Sequence, residues 1–344
     1  RVAAERRKSL GGEVGFQVRF QAMASPVTRI LYITVGLFWR RLISDPELSG
    51  ISAVLFDEFH ERHIAGDLAL SRIIDIQKTR QDLLIGVMSA TLETTLVEDF
   101  LQPCKSLCCE GRSFPVTTEY SEDGLSSNSR PVWVKVSKNL PKVLRKNPEG
   151  DVLVFMPGAY EIRRTVEALS TLIETRGMDV FALHGEMPPE QQDRVLESIS
   201  RRKIIVATNV AETSLTIEGV RIVIDSGLAR IFRFDSRRCV DTLLTERISQ
   251  ASAEQRTGRA GRVASGYCLR LWKKQEQAQM QPYSEPEIHR IDLAPSILEM
   301  RASGVDNPAG FAWLEAPDSA AIAKADQLLS DLGAIDPLNR ILTK

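Results

Sequence analysis

The sequence predicts an α/β protein built on parallel sheets. Short runs of β-branched and apolar residues recur, and the stretches between them have the spacing of amphipathic helices. Near-continuous apolar runs of this length suit strands buried on both faces, which is the environment of a parallel sheet. Strand and helix in alternation then indicate right-handed crossovers. The predicted strands are 51–56, 83–88, 152–155, 180–183, 204–207 and 221–224.

Helical periodicity is clearest between two of these strands. Ile162, Val166, Leu169 and Ile173 recur at helical spacing and predict an amphipathic helix over 161–176. Further amphipathic helices are predicted at 288–300 and 320–332.

Two interruptions of the pattern suggest where domains begin and end. Residues 110–131 are rich in Gly, Pro and Ser and predict a connection between domains, and a second break falls at 281–286. We therefore expect two α/β domains followed by the start of a small helical one. The predicted ranges are 1–112, 113–287 and 288–344.

The composition is that of an ordinary globular protein. The chain has 344 residues, of which 43% are apolar and 26% charged, and this excludes a disordered or fibrous chain. Lys and Arg total 44 and Asp and Glu 45, so the formal net charge is −1. Any affinity for nucleic acid must therefore come from local basic patches. Apolar runs fall far short of the ~18 residues of a membrane span, so we expect a soluble protein with no membrane partner.

Five scattered cysteines bear on the cellular compartment. Cys104, Cys108 and Cys109 have a C-x3-C-C spacing, which does not match the paired spacing of structural zinc sites. Reduced thiols in a cytoplasmic protein are favoured over metal binding or disulfides. The amino end has neither an initiator Met nor the apolar region of a signal peptide, and we expect the chain to begin within a longer gene product.

Two adjacent acids, Asp57 and Glu58, follow the predicted strand at 51–56. Ligands bind at the carboxyl ends of strands in open α/β sheets. One carboxylate there can hold a Mg²⁺ ion bound to phosphates, while the next orients or deprotonates an attacking water. The residues alone equally allow a plain acidic turn in which Asp57 caps the following helix.

Two polar segments follow other predicted strands. Ser89-Ala90-Thr91 suits a tight turn that relays position through hydrogen bonds, although such residues are most often plain turns or helix caps. Residues 207–219 are rich in hydroxyl and amide groups, which suits contact with a sugar–phosphate backbone. An ordinary polar loop is the alternative for that segment.

Three arginines recur at intervals of three in 255–262, as Arg256, Arg259 and Arg262. Guanidinium groups bind phosphate oxygens and stabilise the transition state of phosphoryl transfer. A solvated basic helix would not favour Gly258 and Gly261, because each Gly costs ~1 kcal/mol in a helix. We therefore predict that the arginines bind phosphate and that the glycines leave room around them.

In this order and combination, the four motifs resemble those of superfamily 2 helicases of the DEAH/RHA type. The resemblance runs from about Val14 to the C-terminus. Phe59 replaces the Ala of the DEAH signature, and residues 57–62, like 45–50 and 111–116, are similar to the bacterial HrpB group in particular. The resemblance implies two RecA-like parallel-sheet domains in tandem, followed by the start of a winged-helix-like domain.

The function implied by this resemblance is that of an ATP-dependent RNA helicase. Hydrolysis of ATP with Mg²⁺ in the cleft between the RecA-like domains would drive 3′–5′ movement on single-stranded RNA. The implied hydrolysis residues are Asp57 for Mg²⁺, Glu58 as general base, His60 coupling to Ser89 and Thr91, Gln255 orienting the water, Arg259 and Arg262 on the γ-phosphate, and Glu218 near the ribose or the waters of the metal.

The RNA contacts implied by the resemblance lie in several segments. The backbone-binding residues would be Thr34, Thr208, Asn209 and Thr213. His184 follows another apolar strand and is equally a polar turn or an RNA contact. An arginine-rich hairpin over 232–247 would separate strands, or is simply a solvated edge hairpin; the arginines within it or just before it are Arg230, Arg233, Arg237 and Arg238.

Two departures from the family pattern bear on activity. The sequence has no G-x-x-x-x-G-K-[ST], since no Gly is followed by Lys, and so lacks the loop that cradles phosphates. The family places that loop upstream of Arg1, so we expect this chain alone to leave apolar surface uncovered and to be unable to hydrolyse ATP. Val35 stands where the family has Glu, beside the predicted RNA contact at Thr34.

Two other functions remain open from the sequence. A non-catalytic RNA-binding or assembly module with the helicase fold is compatible with the missing phosphate loop. A DNA helicase is also compatible, because contacts to the backbone do not select the sugar unless a 2′-OH is read. We expect a monomer.

Overall fold

The computed structural model describes residues 2–90, 95–109, 111, 114–125, 130–197, 199–212, 215, 217–235, 237–336 and 342. The chain forms two compact units. Unit 1 comprises Arg1–Ser106, Phe234–Asp241 and Glu285–Lys344, and unit 2 comprises Leu107–Arg233 and Thr242–Ser284. The domain boundaries at 112/113 and 287/288 stay a prediction.

The strands and helices are numbered in chain order. The strands are β1 (Val14–Val18), β2 (Gln21–Met23), β3 (Ile30–Ile33), β4 (Ala53–Phe56), β5 (Leu84–Val87), β6 (Val116–Tyr120), β7 (Asp151–Phe155), β8 (Asp179–Leu183), β9 (Lys203–Ala207), β10 (Val220–Asp225), β11 (Leu228–Asp235), β12 (Val240–Arg247) and β13 (Gly266–Arg270). The α-helices are α1 (Val2–Glu5), α2 (Val35–Ser44), α3 (Ile64–Thr79), α4 (Thr95–Phe100), α5 (Val132–Lys146), α6 (Ala159–Ser170), α7 (Pro189–Leu196), α8 (Gln250–Gly258), α9 (Lys274–Gln277), α10 (Ala294–Ala302) and α11 (Ser319–Asp331). Among the residues placed by the structure, no helix is long and apolar enough to cross a membrane.

Unit 1 contains two small sheets and one hydrophobic core. Strand β1 pairs antiparallel with β2 and parallel with β3, and β4 pairs parallel with β5. Helices α2 and α3 contribute Trp39, Leu42 and Leu68 to the core, and α10 and α11 contribute Ile297 and Leu329. On the β4–β5 sheet, by contrast, Leu55 and Leu84 are each 62% exposed.

Unit 2 is built on a six-stranded parallel sheet in the order β6-β13-β10-β7-β9-β8. Alternate residues of its central strands enter different cores. Val152 and Val154 of β7 pack in the core that contains α5 and α6, whereas Leu153 and Phe155 pack in the core that contains Val195 of α7. A sheet covered on both faces has the near-continuous apolar strands that the sequence shows. The predicted α/β class is therefore confirmed.

Several predicted elements differ from the structure. The six predicted strands all form, as β4, β5 and β7–β10, but the predicted connection at 110–131 is wrong over β6, which is an edge strand beside β13. The predicted helix at 161–176 ends earlier, at Ser170, because Leu172 is extended. Glycine, proline and serine around β6 concealed the strand. Edge strands need only one apolar face, so their sequence signal is weak.

A buried cluster of charges lies beneath the carboxyl edge of the unit 2 sheet. Arg256 of α8 is fully buried, and its guanidinium donates to Asp225 Oδ1 at 2.9 Å and to Glu212 Oε2 at 2.8 Å. It also lies 4.8 Å from the ring centroid of Phe155. Burial alone would lower the pKa of Arg256, but the carboxylates of Asp225 and Glu212 outweigh it and raise the pKa. The guanidinium thus joins α8, the end of β10 and the segment after β9.

Arg256→Ala is predicted to lower the free energy of unfolding of unit 2 by about 3–5 kcal/mol, because Asp225 and Glu212 lose their buried counter-charge. Urea unfolding followed by circular dichroism measures this change. The control is Arg201→Ala, which removes an exposed pairing with Asp179 at 3.3 Å. Its expected cost is below about 1 kcal/mol. Equal losses in the two variants would contradict the structural role of Arg256.

Candidate active site and nucleic-acid interface

The two predicted acids lie at the carboxyl end of β4, beside the end of β5. The segments that follow these parallel strands are joined by backbone hydrogen bonds. Met88 N–H donates to Phe56 O at 2.8 Å, and Phe59 N–H donates back to Met88 O at 3.0 Å. This pairing carries the strand register into the loops and holds the acidic segment against the Ser89-Ala90 segment.

The acids themselves adopt a tight, partly strained turn. Asp57 Oδ1 accepts a hydrogen bond from Glu58 N–H at 2.9 Å. Glu58 has φ +51°, in the left-handed region that non-Gly residues enter at a cost. Such strain persists where surrounding contacts fix the conformation, and it is common at functional sites. The Glu58 carboxylate lies 3.5 Å from Nδ1 of His60, in the 3-10 helix Phe59–Glu61.

His60 reaches from the acids to the neighbouring segment. Its side chain is 9% exposed, and Ala90 N–H donates to its Nδ1 at 3.4 Å. The structure therefore brings Glu58, His60 and the Ser89-Ala90 segment together. Ser89 is exposed beside them, and Thr91 lies outside the described residues.

The donor chemistry of this turn fits Mg²⁺ bound to phosphates. Asp57 is exposed at the strand end, and among the described residues the hydrogen-bond partner of its carboxylate is the N–H of Glu58. Mg²⁺ commonly takes one or two protein carboxylates and completes its shell with waters and substrate phosphates. Asp57 supplies one such oxygen ligand.

The segment after the acids is fixed by an ionic cluster that sequence analysis missed. Arg62 also has a positive φ, +50°, and its guanidinium pairs with Asp67 at 2.9 Å and with Glu315 at 3.2 Å. Glu287 N–H donates to Arg62 O at 3.1 Å, and the Glu287 carboxylate accepts from Ile64 N–H at 3.0 Å. These contacts fix the backbone on both sides of His63, just after Asp57 and Glu58.

His63 lies between two carboxylates of the same cluster. Its Nδ1 is 2.9 Å from Glu287 Oε1, and its Nε2 is 2.8 Å from Glu61 Oε2. Hydrogen bonds to Glu287 and Glu61 outweigh burial and raise the pKa of His63 to about 10. The imidazolium is therefore charged at neutral pH. Its contribution to stability is fully present below the ordinary pKa of ~6.5 and is lost as the pH rises toward 10.

The carboxyl edge of the unit 2 sheet holds most of the predicted RNA contacts. Thr208 follows β9 and begins the 3-10 helix Asn209–Ala211, and its N–H donates to Leu183 O at 3.2 Å. Asn209 is exposed. His184 follows the adjacent strand β8, and its Nδ1 is buried with no hydrogen-bond partner among the described atoms. The sheet thus brings Thr208, Asn209 and His184 to one edge, and Thr213 lies outside the described residues.

The three arginines of the motif at 255–262 differ in burial, since two are buried and one is exposed. Arg256 is buried in the ionic cluster described above, so the prediction that it binds phosphate is wrong. Arg259 is 7% exposed and donates to the carbonyl oxygens of Leu215 and Glu212, the former at 2.7 Å. Arg262 is exposed, and Gln255 is half-buried on α8.

The two glycines of the motif do not act as predicted. A Cβ at Gly261 would lie 2.5 Å from Phe114 O, and a Cβ at Gly258 would meet nothing within 4 Å. Phe114 N–H donates to Gly261 O at 2.8 Å. Gly261 therefore admits the neighbouring backbone, rather than leaving room for a guanidinium.

The remaining predicted residues lie on other elements of the two units. Thr34 is exposed at the N-terminus of α2 in unit 1, and Glu218 is exposed before β10 in unit 2. The predicted hairpin forms from β11 and β12. Two of its arginines pair with acids of unit 2: Arg233 with Glu246 at 2.5 Å and Arg230 with Glu161 at 3.6 Å. Arg237 and Arg238 are exposed near its turn.

Glu287→Gln is predicted to lower the pKa of His63 from about 10, because it removes the stronger of two carboxylate partners. Titration of the imidazole by NMR measures the change. Asp75→Asn is the control, since Asp75 pairs with Lys78 on the surface of α3 and should leave His63 unchanged. A wild-type His63 that titrates near ~6.5 would contradict the cluster.

Comparison with known proteins agrees with this arrangement. Residues 135–264 match the helicase conserved C-terminal domain family. The ATP-dependent RNA helicase HrpB of Escherichia coli is 39% identical over 331 residues, which are 95% of this chain and 40% of HrpB. The human probable ATP-dependent RNA helicase DHX35 is 36% identical over 98% of this chain and 50% of its own length.

The solved structures agree as well. A crystal structure of E. coli DEAH/RHA helicase HrpB matches with a TM-score of 0.90 and 37% identity, over 100% of this chain and 43% of that one. The chain thus spans about two fifths of HrpB and half of DHX35. Residues 135–264 thus form a helicase conserved C-terminal domain, and almost the whole chain is similar in sequence and fold to DEAH/RHA helicases.

Proposed function

We propose that this chain is part of an ATP-dependent RNA helicase that couples ATP hydrolysis to 3′–5′ movement on single-stranded RNA. The observation that carries the proposal is the link between Glu58, His60 and Ala90 N–H at the carboxyl end of β4 and β5. Because the Nδ1 of His60 lies within reach of both groups, it can pair with the carboxylate or accept from the neighbouring loop, and can so pass a change at a phosphate to the rest of its unit. The relatives described above are named as ATP-dependent RNA helicases, which supports the helicase part of the proposal.

In the proposed reaction, Asp57 would hold Mg²⁺, which neutralises charge on the phosphates when bound. Glu58 would accept a proton from the attacking water. His60 would hold the Glu58 carboxylate in place when its Nδ1 carries a proton, because that atom lies 3.5 Å from the carboxylate. Without that proton, Nδ1 accepts from Ala90 N–H at 3.4 Å instead. Gln255 would orient the water.

The charge that develops on the γ-phosphate would be met by Arg259 and Arg262, and Glu218 would lie near the ribose or the waters of the metal. The acids belong to unit 1 and these arginines to unit 2, so the reaction requires both units. Because Arg259 donates to Leu215 O and Glu212 O, it is already bonded to the segment that follows Thr208 and Asn209. A shift of Arg259 would therefore displace the segment proposed to bind RNA.

The proposed partner is single-stranded RNA, gripped through its backbone at Thr34, Thr208, Asn209 and Thr213. Hydroxyl and amide groups at a sheet edge suit phosphate and sugar contacts without base selection. The protein would act as a monomer in the cytoplasm. DNA is the competing substrate, and a preference for RNA over DNA of the same sequence distinguishes the two.

A second candidate function is a non-catalytic RNA-binding module. The observation that favours it is the lack of any G-x-x-x-x-G-K-[ST] motif in these 344 residues.

Glu58→Gln in the protein extended to its natural start is predicted to lower RNA-stimulated ATP turnover by about 10²–10⁴-fold, because the general base is lost. Steady-state hydrolysis with and without single-stranded RNA measures it. Glu47→Gln, an exposed acid elsewhere in unit 1, should turn over normally. RNA binding without any hydrolysis by the extended wild type would favour the non-catalytic module instead.

The 344-residue chain alone is predicted not to hydrolyse ATP, since no phosphate-cradling loop accompanies its acids and arginines. The measurement is phosphate release by the isolated chain under conditions in which the extended protein is active. Turnover by the isolated chain that Glu58→Gln abolishes would show that other residues bind the phosphates.

A further inference from the structure

A cluster of aromatic and arginine side chains occupies one surface of unit 2, where α5 and α6 begin. Trp133 of α5 and Tyr160 of α6 make an edge-to-face pair with ring centroids 5.7 Å apart. The guanidinium carbon of Arg163 lies 5.7 Å from the Tyr160 centroid, and that of Arg164 lies 5.8 Å from the Trp133 centroid. We call these four residues the aromatic–arginine cluster.

The spacing within α6 explains how the cluster forms. Residues three and four apart share one face of a helix, so Arg163 and Arg164 fall on the same side as Tyr160. Packing of α5 against α6 then brings Trp133 to the ring of Tyr160. The sequence alone conceals this cluster because 27 positions, 160 − 133, separate the two aromatic residues.

Three members of the cluster are exposed, and Trp133 is half-buried. Tyr160 is 47% exposed, and both arginines are exposed. Arg164 pairs with Glu167 at 2.8 Å. For Arg163 the contact with Tyr160 is the only side-chain interaction found among the described residues. An accessible ring therefore lies beside a cation for which the described residues show no carboxylate partner.

The aromatic–arginine cluster lies at the carboxyl edge of the unit 2 sheet. Helix α6 follows β7 through a short turn, so Tyr160 lies at the carboxyl edge of the sheet, five positions beyond Phe155. At that edge Met156 N–H donates to Ala207 O at 2.7 Å, which places the end of β7 directly beside Thr208. The cluster thus flanks the segment that holds Thr208 and Asn209.

We propose that the aromatic–arginine cluster is a stacking site for one nucleobase of single-stranded RNA. The Tyr160 ring stacks on the base, and Arg163 binds the adjoining phosphate. Trp133 positions the Tyr160 ring through its edge-to-face contact. Aromatic rings next to cations are the usual means of holding unpaired bases without reading their sequence. This inference rests on the proposed RNA-binding function and adds a base contact to its backbone contacts.

The test uses the 344-residue chain and a fluorescent single-stranded RNA of about 12 nucleotides, within the site sizes typical of such proteins. Fluorescence anisotropy measures the Kd for the intact RNA and for a series in which each position in turn is abasic. With the wild type, the abasic substitution that falls on Tyr160 should weaken binding about fivefold or more. Tyr160→Ala should weaken binding of intact RNA by a similar factor and should erase that position from the abasic profile.

Two further variants separate stacking from folding. Tyr160→Phe keeps the ring and should keep both the Kd and the abasic profile. Tyr283→Ala removes another exposed aromatic residue of unit 2, 40% exposed, and should leave both unchanged. Circular dichroism verifies that every variant is folded.

The outcomes distinguish this inference from the proposed function. If Tyr160→Ala retains the wild-type Kd and the wild-type abasic profile, the stacking site is overturned while RNA binding stands. If the wild type binds DNA of the same sequence equally well with the same profile, the site stacks bases of either nucleic acid and RNA selectivity is overturned. If the wild type binds neither, the proposed function fails and this inference fails with it.

Discussion

The buried guanidinium of Arg256 is the interaction on which the arrangement of unit 2 depends. It pairs with Asp225 at the end of β10 and with Glu212 after β9, and it is held on α8, which carries the arginine motif. Three segments that are distant in sequence share one buried positive charge. An ion pair of this kind adds little net stability, but losing one partner is costly because it leaves the others unpaired. Its main effect is to fix geometry.

That geometry determines what the neighbouring residues can do. With Arg256 turned inward, Arg259 reaches the carbonyl oxygens of Glu212 and Leu215, and Arg262 is left exposed. The segment proposed to grip RNA and the segment proposed to meet phosphate are therefore parts of one bonded body. A movement at one of them must move the other.

In unit 1, charged side chains likewise fix the backbone next to the candidate catalytic acids. Glu58 and Arg62 both have left-handed backbone conformations that would not persist without external contacts. Around Arg62, Glu287 supplies these through hydrogen bonds to Ile64 N–H and to His63, and Glu315 adds a pairing with Arg62. The acidic turn is held instead by the segment after β5, through the hydrogen bond from Phe59 N–H to Met88 O.

The sequence predicted the parts of the molecule that repeat or that follow a buried strand. Central strands have long apolar runs, and polar residues directly after them, such as Asp57 and Thr208, had to lie at a sheet edge. Edge strand β6 was missed because one-sided burial leaves a weak pattern. Glu287 was missed because 224 positions separate it from His63 and nothing local relates them.

The inward turn of Arg256 was unpredictable for a related reason. In the sequence it is equivalent to Arg259 and Arg262, and only the tertiary placement of Asp225 and Glu212 distinguishes it. Gly261 shows the same limit, since its lack of a side chain serves Phe114, far away in the sequence. The spacing of the arginines is typical of a helix, but it does not indicate which of several similar residues is buried.

The Arg256 cluster is expected to hold the segment proposed to bind RNA and the segment proposed to bind phosphate as one body. Hydrogen–deuterium exchange of Arg256→Lys against the wild type tests it most directly, because Lys keeps the charge but cannot reproduce the two-sided geometry. We predict faster amide exchange in both 207–212 and 250–262, with β6 and α5 unchanged. Faster exchange in only one of those segments, or a uniform increase over the whole unit, would contradict the account.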